Sequence, residues 1–149
     1  MTGSHLLRLH EQSRSLQDAG RTREAAAVLR DLLDLQPDWE HGGGWYDLAG
    51  WYEDLGDIEE ARQAYRRALV YSPHDSHFAG GYASFEHLHG NPQLALELHL
   101  NHVRIERRMK SAAGYDRAVR GLRAAAARAG LEDSEVDKLL ASLADEGAP

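Results

Sequence analysis

Three glycines at nearly equal distances constrain this chain more than any other feature of its sequence. Gly20, Gly56 and Gly90 are separated by 36 and 34 residues, and an alanine follows each of them five residues later. Pro37 and Pro73 each lie 17 residues after one of these glycines. Self-similarity at a period of about 20 to 50 residues is typical of stacked repeats, each of which is one supersecondary unit. The chain is therefore predicted to fold as an array of similar units.

Apolar residues within one period recur at the spacing of a helix. Trp45, Leu48, Ala49 and Tyr52 form one apolar stripe, and a second stripe follows Gly56. Residues at i, i+3, i+4 and i+7 share one face of a helix. Each repeat is therefore predicted to be a pair of antiparallel helices.

Capping residues predict where these helices begin. Asp57 follows a glycine and precedes Glu60 by three residues, an arrangement that resembles a capping box. Asn91 is predicted to cap the next second helix, with Pro92 at its first position. Ser134 is predicted to cap the last helix of the chain.

With these marks in place, residues 42–75 resemble a tetratricopeptide repeat of 34 residues. Residues 6–39 and 76–109 resemble weaker copies, and residues 112–146 resemble a degenerate helical pair. The resemblance implies an all-α fold, an α-α superhelix of antiparallel helix pairs that forms a single domain over residues 1–149. Large, small, aromatic and turn residues carry it, namely Trp45, Leu48, Ala49, Tyr52, Gly56, Ala61, Tyr65, Ala68 and Pro73.

The third copy departs from the family pattern at three positions. Glu86 and His99 stand where aromatic residues are usual, and Arg107 stands where proline is usual. Because no proline ends it, the helix that begins after Asn91 is predicted to continue to about Gly114.

The resemblance also implies a concave groove lined by the first helix of each pair. Only Arg14 offers a permanent positive charge at the positions where some family members grip a peptide carboxylate, so binding of that kind is not expected. Acidic groove residues favour a basic or polar segment as the partner. The implied groove residues are His10, Arg14, Gln17, Tyr46, Asp47, Gly50, Glu53, Asp54, His77, Gly81, Ser84 and His87.

Four groove positions are glycines inside predicted helices, namely Gly43, Gly50, Gly80 and Gly81. Glycine in a helix costs about 0.5 to 1 kcal/mol relative to alanine. Two explanations are open. Either a ligand side chain or a neighbouring backbone approaches closely at these positions, or a tightly curved superhelix accepts small residues there.

Composition excludes several classes of function. The net charge is −7 and the chain has no cysteine, which excludes a disulfide framework and a thiolate zinc site. Residues 104–128 carry a net charge of +6, and residues 131–149 carry −5. These two segments are expected to pair with each other or with a neighbouring subunit, so no nucleic acid partner is expected. No membrane-spanning or export segment is recognised, and a cytoplasmic location is expected.

Two patterns resemble parts of a catalytic or metal-binding site, but each lacks the other residues that such a site needs. His41-Gly42-Gly43-Gly44 matches the oxyanion loop of some esterases, but no Gly-x-Ser-x-Gly motif accompanies it, so flexible spacing between repeats is the interpretation. No catalytic residue and no cofactor are assigned. Two histidine pairs at i, i+3 come closest to a metal-ligand pattern, although no third ligand is identified, and these are His74, His77, His99 and His102.

The sequence therefore favours a non-catalytic scaffold that binds a peptide or protein segment in its groove. Two alternatives stay open. In the first alternative, the histidines bind a metal or a small ligand. In the second, the exposed repeat edges join copies of the chain into a homo-oligomer.

Overall fold

A computed structural model describes residues 2–146, and all regular structure within them is helical. Eight α-helices follow one another, and each of the four pairs is joined by a short turn. They are α1 Gly3–Asp18, α2 Thr22–Leu35, α3 Gly43–Asp54, α4 Ile58–Tyr71, α5 Ser76–His89, α6 Pro92–Met109, α7 Ala112–Arg128 and α8 Asp133–Glu146.

The chain divides into two compact units at Pro73 and His74, and each is described by itself. Unit 1 contains α1 to α4, and unit 2 contains α5 to α8. The assignment of the whole chain to a single domain stays a prediction.

Small and branched apolar residues form the core of unit 1. Leu29 and Leu32 of α2, Leu48 of α3 and Ala61 of α4 are each at most 2% exposed. Burying one leucine side chain stabilises a fold by about 1.5 to 3 kcal/mol, so this core is a main source of stability. Ala25 and Ala61, which follow the repeat glycines of this unit, are both fully buried here.

Trp45 joins α2, α3 and α4. Its indole N–H donates to the Pro37 carbonyl oxygen at 2.7 Å. The guanidinium carbons of Arg30 and Arg67 lie 5.3 and 4.6 Å from the centre of its ring. Of the three aromatic residues that carry the resemblance, Trp45 and Tyr65 are buried, whereas Tyr52 is only half-buried.

A left-handed turn, Trp39–Gly42, connects α2 to α3. Glu40 and His41 have φ values of 53° and 54°, and Gly42 has a φ of 99°. A Cβ atom on Gly42 would lie 2.6 Å from the Ala68 carbonyl oxygen, so only glycine fits there. The His41-Gly42-Gly43-Gly44 segment is therefore packed against α4 rather than being a loose spacer.

Unit 2 has its own apolar core around α6, α7 and α8. Val103, Ala118 and Leu122 are fully buried, and Val136 and Leu143 of α8 pack against them. The apolar stripe predicted near the end of the chain therefore contacts α6 and α7 through these two residues.

Three predicted helix boundaries differ from those observed. Helix α6 ends at Met109 instead of Gly114, because Lys110 adopts a φ of 57° and the Ser111 hydroxyl accepts from the Gly114 N–H to start α7. Asp57 precedes α4 without a side-chain cap and instead contacts Arg23 at 3.3 Å. Ser134 lies inside α8, which begins at Asp133.

The cap predicted at Asn91 is confirmed. Its side-chain oxygen accepts from the Gln93 N–H at 2.7 Å, and Pro92 occupies the first turn of α6. Asp75 caps α5 in the same way, by accepting from the Phe78 N–H at 2.9 Å.

Candidate functional site

In unit 1, α1 and α3 bring two groups of predicted groove residues together. Arg14 of α1 and Asp47 of α3 form an ion pair at 3.5 Å, and both are partly exposed. The Gln17 side-chain oxygen is buried on the same helix and has no hydrogen-bond partner among the described residues. The first helices of the first two pairs therefore share one polar surface.

His10 lies beside the left-handed turn. Its Nδ1 atom accepts from the Trp39 indole N–H at 3.3 Å, and its Nε2 atom lies 3.8 Å from the Glu40 carboxylate. His10 therefore contacts both residues that begin the turn. No pattern in the sequence indicates that Trp39 and Glu40 belong to this surface, because both lie between α2 and α3.

The acidic residues of this surface have partners inside unit 1. The Glu53 carboxylate accepts from the Tyr65 hydroxyl at 2.9 Å. Burial and then this carboxylate raise the pKa of Tyr65 above its usual value. Tyr46 packs edge-on against Tyr65 with ring centres 5.6 Å apart. With Asp47 paired to Arg14, only Asp54 among the three acidic positions is fully on the surface.

In unit 2, the predicted groove residues lie along α5. His77 and Ser84 are exposed, and Gly81 and His87 are half-buried. The His87 Nδ1 atom is itself buried and has no hydrogen-bond partner in the described part of the chain. Helix α5 therefore presents a mixed face on which only His87 combines burial with an unused polar atom.

The glycines of the groove have different neighbours. A Cβ on Gly50 would meet no atom within 4 Å, whereas one on Gly80 would lie 2.7 Å from the His102 ring. The group that approaches Gly80 is therefore a side chain of α6, and neither a ligand nor a backbone is needed to explain this glycine.

Buried polar residues form a cluster that the sequence interpretation missed. Glu86, His99, His102 and Glu106 are each 8% exposed or less. The Ser76 hydroxyl lies 3.1 Å from His102 Nε2 and donates to the Glu106 carboxylate, which is itself 3.6 Å from the same Nε2. In a catalytic triad, the nucleophile and the acid contact opposite nitrogens of the histidine ring. Ser76 and Glu106 both face Nε2 of His102, so these three residues are not a catalytic triad.

Each of these buried groups faces a glycine. His99 faces Gly121, and the carboxylates of Glu106 and Glu86 face Gly114 and Gly90. Two signals in the sequence pointed here, namely polar residues at aromatic positions and glycines inside predicted helices. Neither signal identifies its partner, because His99 and Glu106 lie on a different helix from the glycines that they face, and Glu86 faces the glycine that ends its own helix.

The four histidines that most resembled metal ligands do not converge. His74 and His77 are exposed, while His99 and His102 point toward different helices. In residues 2–146, no three His, Asp or Glu side chains are placed to hold a metal ion. Burial and then the neighbouring His87 and His102 lower the pKa of His99 to about 4, and burial also lowers the pKa of His102.

The basic residues of α6 and α7 pair with acidic residues of α8, as their charges predict. Arg104 contacts Glu146 at 3.2 Å, and Arg123 contacts Asp137 at 2.8 Å. Arg107 donates to the carbonyl oxygens of Leu143 and Ala144 at the end of α8. The residue that replaces the usual proline therefore holds the last helix. No helix in residues 2–146 has the length and apolar composition needed to cross a membrane.

The sequence model of the tetratricopeptide repeat matches residues 16–98 of the chain. This match covers more than half of the sequence and includes the helix pairs α3–α4 and most of α5–α6. No curated protein matches the chain.

Solved structures share the fold at low sequence identity. The MamA protein is 18% identical with a TM-score of 0.73, over 94% of this chain and 72% of that one. The tetratricopeptide-like repeats of a putative kinesin light chain from Podosopora anserina are 20% identical with a TM-score of 0.73, over 97% and 75%. The type III secretion translocator chaperone SycD from Yersinia enterocolitica is 14% identical with a TM-score of 0.71, over 88% and 90%. The predicted fold class, all-α with antiparallel helix pairs, is confirmed.

Proposed function

This chain belongs to the tetratricopeptide repeat family, and on that premise we propose that it is a non-catalytic scaffold that binds a peptide or protein segment. The proposed binding surface is the polar face of the first helices, which in unit 1 includes His10, Arg14 and Asp47. Helices packed in this way hold side chains at fixed spacing. Most of the conformational entropy that is lost on binding is therefore lost by the partner.

The observation that carries the proposal is the contact between Arg14 and Asp47. Residues of two different repeats, both implied to line the groove, lie 3.5 Å apart on partly exposed side chains. A surface that continues from one repeat to the next suits an extended segment longer than a single side chain. One solved structure of the same fold supports this mode of action, since SycD is described as a translocator chaperone.

The partner is proposed to be a polar segment. Asp47, Glu53 and Asp54 are the reasons to expect a basic or polar one. Arg14 offsets the charge of Asp47, and the Tyr65 hydroxyl occupies one hydrogen-bonding site of the Glu53 carboxylate. Hydrogen bonds and the charge pattern of the surface then contribute more to specificity than net charge does. A cytoplasmic location belongs to the same proposal and rests on the absence of cysteine.

A charge swap tests this proposal without removing the ion pair. The double variant Arg14→Asp, Asp47→Arg retains an attractive pair and reverses the pattern that a partner would meet. Wild type and variant are used for affinity capture from the native lysate, followed by titration of any captured protein in purified form. The matched control is Glu60→Lys, which alters the charge of an exposed residue on α4.

We expect a captured protein to bind wild type and the control equally and to lose at least about tenfold in affinity for the swapped variant. Equal binding by all three proteins would exclude this surface of unit 1 as the binding site.

Self-assembly is a second candidate, and one observation favours it. Val70 and Tyr71 at the end of α4 are 71% and 40% exposed, and they line a cavity of about 300 Å³ with Pro37 and Trp45. Exposed apolar residues beside a cavity are common in protein interfaces. If this surface joins two copies, Val70→Glu converts a concentration-dependent oligomer to a monomer in analytical ultracentrifugation. A wild-type chain that is monomeric at all concentrations excludes the candidate.

A further inference from the structure

A depression of about 250 Å³ lies between α5 and α7 in unit 2, and its wall is almost wholly apolar. Leu88 at this wall is 66% exposed, and Ser84 and Ala124 beside it are exposed as well. A leucine in this position leaves apolar surface in water, and covering that surface is favourable. The depression therefore suits an apolar side chain of another molecule.

Helix α7 places positive charge on both sides of the depression. Gly121 and Ala124 line it, while Arg117 lies four residues before Gly121 and Arg128 lies four residues after Ala124. Residues three or four positions apart share one face of a helix, so both arginines flank the depression on the same face. Both are exposed. A rise of 1.5 Å per residue places them about 16 Å apart along the helix.

No acidic side chain neutralises these two cations. Within residues 2–146, neither the Arg117 nor the Arg128 guanidinium forms an ion pair, whereas basic residues that face α8 are paired with it. Helices α5 and α7 have one carboxylate each. Glu86 of α5 is buried, and Asp116 of α7 is turned about 100° around the helix from Arg117. The exposed face beside the depression is therefore positive.

The charge of this face favours carboxylates in the partner. Arginine stays charged at any physiological pH, and its planar fork of N–H donors matches the geometry of a carboxylate. The chain as a whole has a net charge of −7, so an acidic segment is repelled by most of the molecule and attracted to this face. Charge complementarity therefore determines both the kind of segment and where it binds.

The distance between the two arginines limits the conformation of the segment. An extended chain advances about 3.3 Å per residue, so two carboxylates about five residues apart span the same 16 Å, roughly. A side chain midway between them then lies over the depression. A helical segment would need carboxylates about 11 residues apart, so a short acidic segment fits this face only when it is extended.

We propose that the α5–α7 face of unit 2 binds an extended acidic segment of a partner protein, with one aliphatic side chain in the depression and carboxylates on Arg117 and Arg128. The inference rests on the proposed function and deepens it, because it names the chemistry of the part of the segment that unit 2 recognises.

The probe is a synthetic peptide, Glu-Glu-Ser-Leu-Ser-Glu-Glu, which is acetylated and amidated so that its ends carry no charge. The full-length chain labelled with ¹⁵N is titrated with it at pH 7 and low salt, and the backbone amides are followed by NMR. We expect saturable shifts at Leu88, Gly121 and Ala124.

Two control peptides separate the apolar and the charged contributions. Serine in place of the leucine should weaken binding by at least about fivefold, because no aliphatic side chain is then buried. Glutamine in place of every glutamate should weaken binding by about fivefold, which is the contribution of two exposed ion pairs.

Matched double variants test the arginines. Arg117→Gln with Arg128→Gln removes the two flanking charges and should weaken binding of the leucine peptide by about fivefold. Arg108→Gln with Lys138→Gln removes two exposed charges elsewhere in unit 2 and should change binding by less than about twofold.

A second matched pair tests the apolar wall. Leu88→Ser should weaken binding of the peptide, whereas Met109→Ser, at a residue that is 60% exposed on α6, should leave it unchanged. Circular dichroism checks that all variants are folded.

Four results would overturn the proposal. Three are the absence of saturable shifts at the lining residues, equal binding of the glutamate and glutamine peptides, and equal binding by the two double variants. The fourth is a shift of the same amides with protein concentration alone, which would mean that a second copy covers this face. None of these results depends on the Arg14–Asp47 surface or on a captured partner, so failure here is distinguishable from failure of the proposed function.

Discussion

The two units share helix pairs of one family but differ in what they bury. Within residues 2–73 of unit 1, the only buried polar residue is Ser13, whose hydroxyl donates to the His10 carbonyl oxygen of its own helix. Within residues 74–146 of unit 2, four polar side chains are buried, and three of them, His99, His102 and Glu106, belong to α6. The comparison shows that this arrangement of helices tolerates buried titratable residues where a glycine lies against each of them.

Gly42 of unit 1 differs from three glycines of unit 2 in what it faces. Gly42 of unit 1 lies against a backbone carbonyl, which has no room to move. Gly80, Gly114 and Gly121 of unit 2 lie against the ends of side chains. Substitutions should therefore be least tolerated at the turn of unit 1, while solution conditions should act more strongly on unit 2.

The largest effect is expected for Gly42→Ala. The new Cβ would lie 2.6 Å from the Ala68 oxygen, and alanine disfavours the φ of 99°. Overpacking and the left-handed backbone together should lower the free energy of unfolding by about 4 kcal/mol. Urea unfolding measures this change.

Gly50→Ala is the matched control for that substitution, because its Cβ would meet no atom within 4 Å. It should raise the free energy of unfolding by about 0.5 to 1 kcal/mol through helix propensity. A loss below about 1 kcal/mol in Gly42→Ala would contradict the view that the turn is rigid.

Acid should destabilise unit 2 through His99. Its pKa is about 4 in the folded chain and about 6.5 when unfolded, so the unfolded state binds more protons between these values. The free energy of unfolding therefore falls as the pH drops from about 6.5 to about 4, and the His99 contribution to that loss is about 3 kcal/mol. Hydrogen exchange of α6 and α7 across this pH range measures it.

His99→Phe restores the aromatic residue usual in the family and should remove most of that acid sensitivity. His74→Ala removes an exposed histidine instead and should leave the pH dependence as in wild type. If both variants lose stability in acid as wild type does, carboxylates rather than His99 control the transition.

Arg107→Ala should loosen α8 specifically. The guanidinium donates to the Leu143 and Ala144 carbonyl oxygens at the end of that helix, and bonds from a charged donor contribute about 1.5 kcal/mol or more. Amide exchange in α8 should accelerate by about tenfold while exchange in unit 1 is unchanged. Arg108→Ala, at the next exposed position, serves as the control, and equal acceleration in both would point to a general loss of charge.

The smallest effect is expected for the Arg14–Asp47 pair. Both side chains are partly exposed, and exposed ion pairs contribute about 0.2 to 1 kcal/mol. A double-mutant cycle of Arg14→Ala and Asp47→Ala should give a coupling energy in this range. A value above about 2 kcal/mol would mean that unit 1 also depends on an interior polar contact.

Much of the fold could be predicted because the signals are local. Glycine spacing, the Asn91-Pro92 cap and the apolar stripes depend on neighbours within a few residues along the chain. The end of α6 was predicted wrongly, because the absence of proline does not by itself continue a helix when Ser111 can start a new one.

The candidate site was predicted only in part. The resemblance to the family implied that Arg14 and Asp47 share a groove, and the structure pairs them at 3.5 Å. Trp39 and Glu40 were missed, because residues between helices have no periodicity from which a direction could be read. His99 and Gly121 were each unusual in the sequence, but nothing linked them.

The sequence by itself determined the repeat, the helix pairs and the charge balance between the basic helices and α8. These properties follow from periodicity and composition, which depend only on the residue types and on their spacing along the chain. Only the tertiary structure decided that His99 packs against Gly121 and that Glu106 packs against Gly114. The hydrogen bonds from Arg107 to the end of α8 were decided in the same way. Such contacts join side chains of different helices, and their fit depends on how closely two backbones approach, which no single segment encodes.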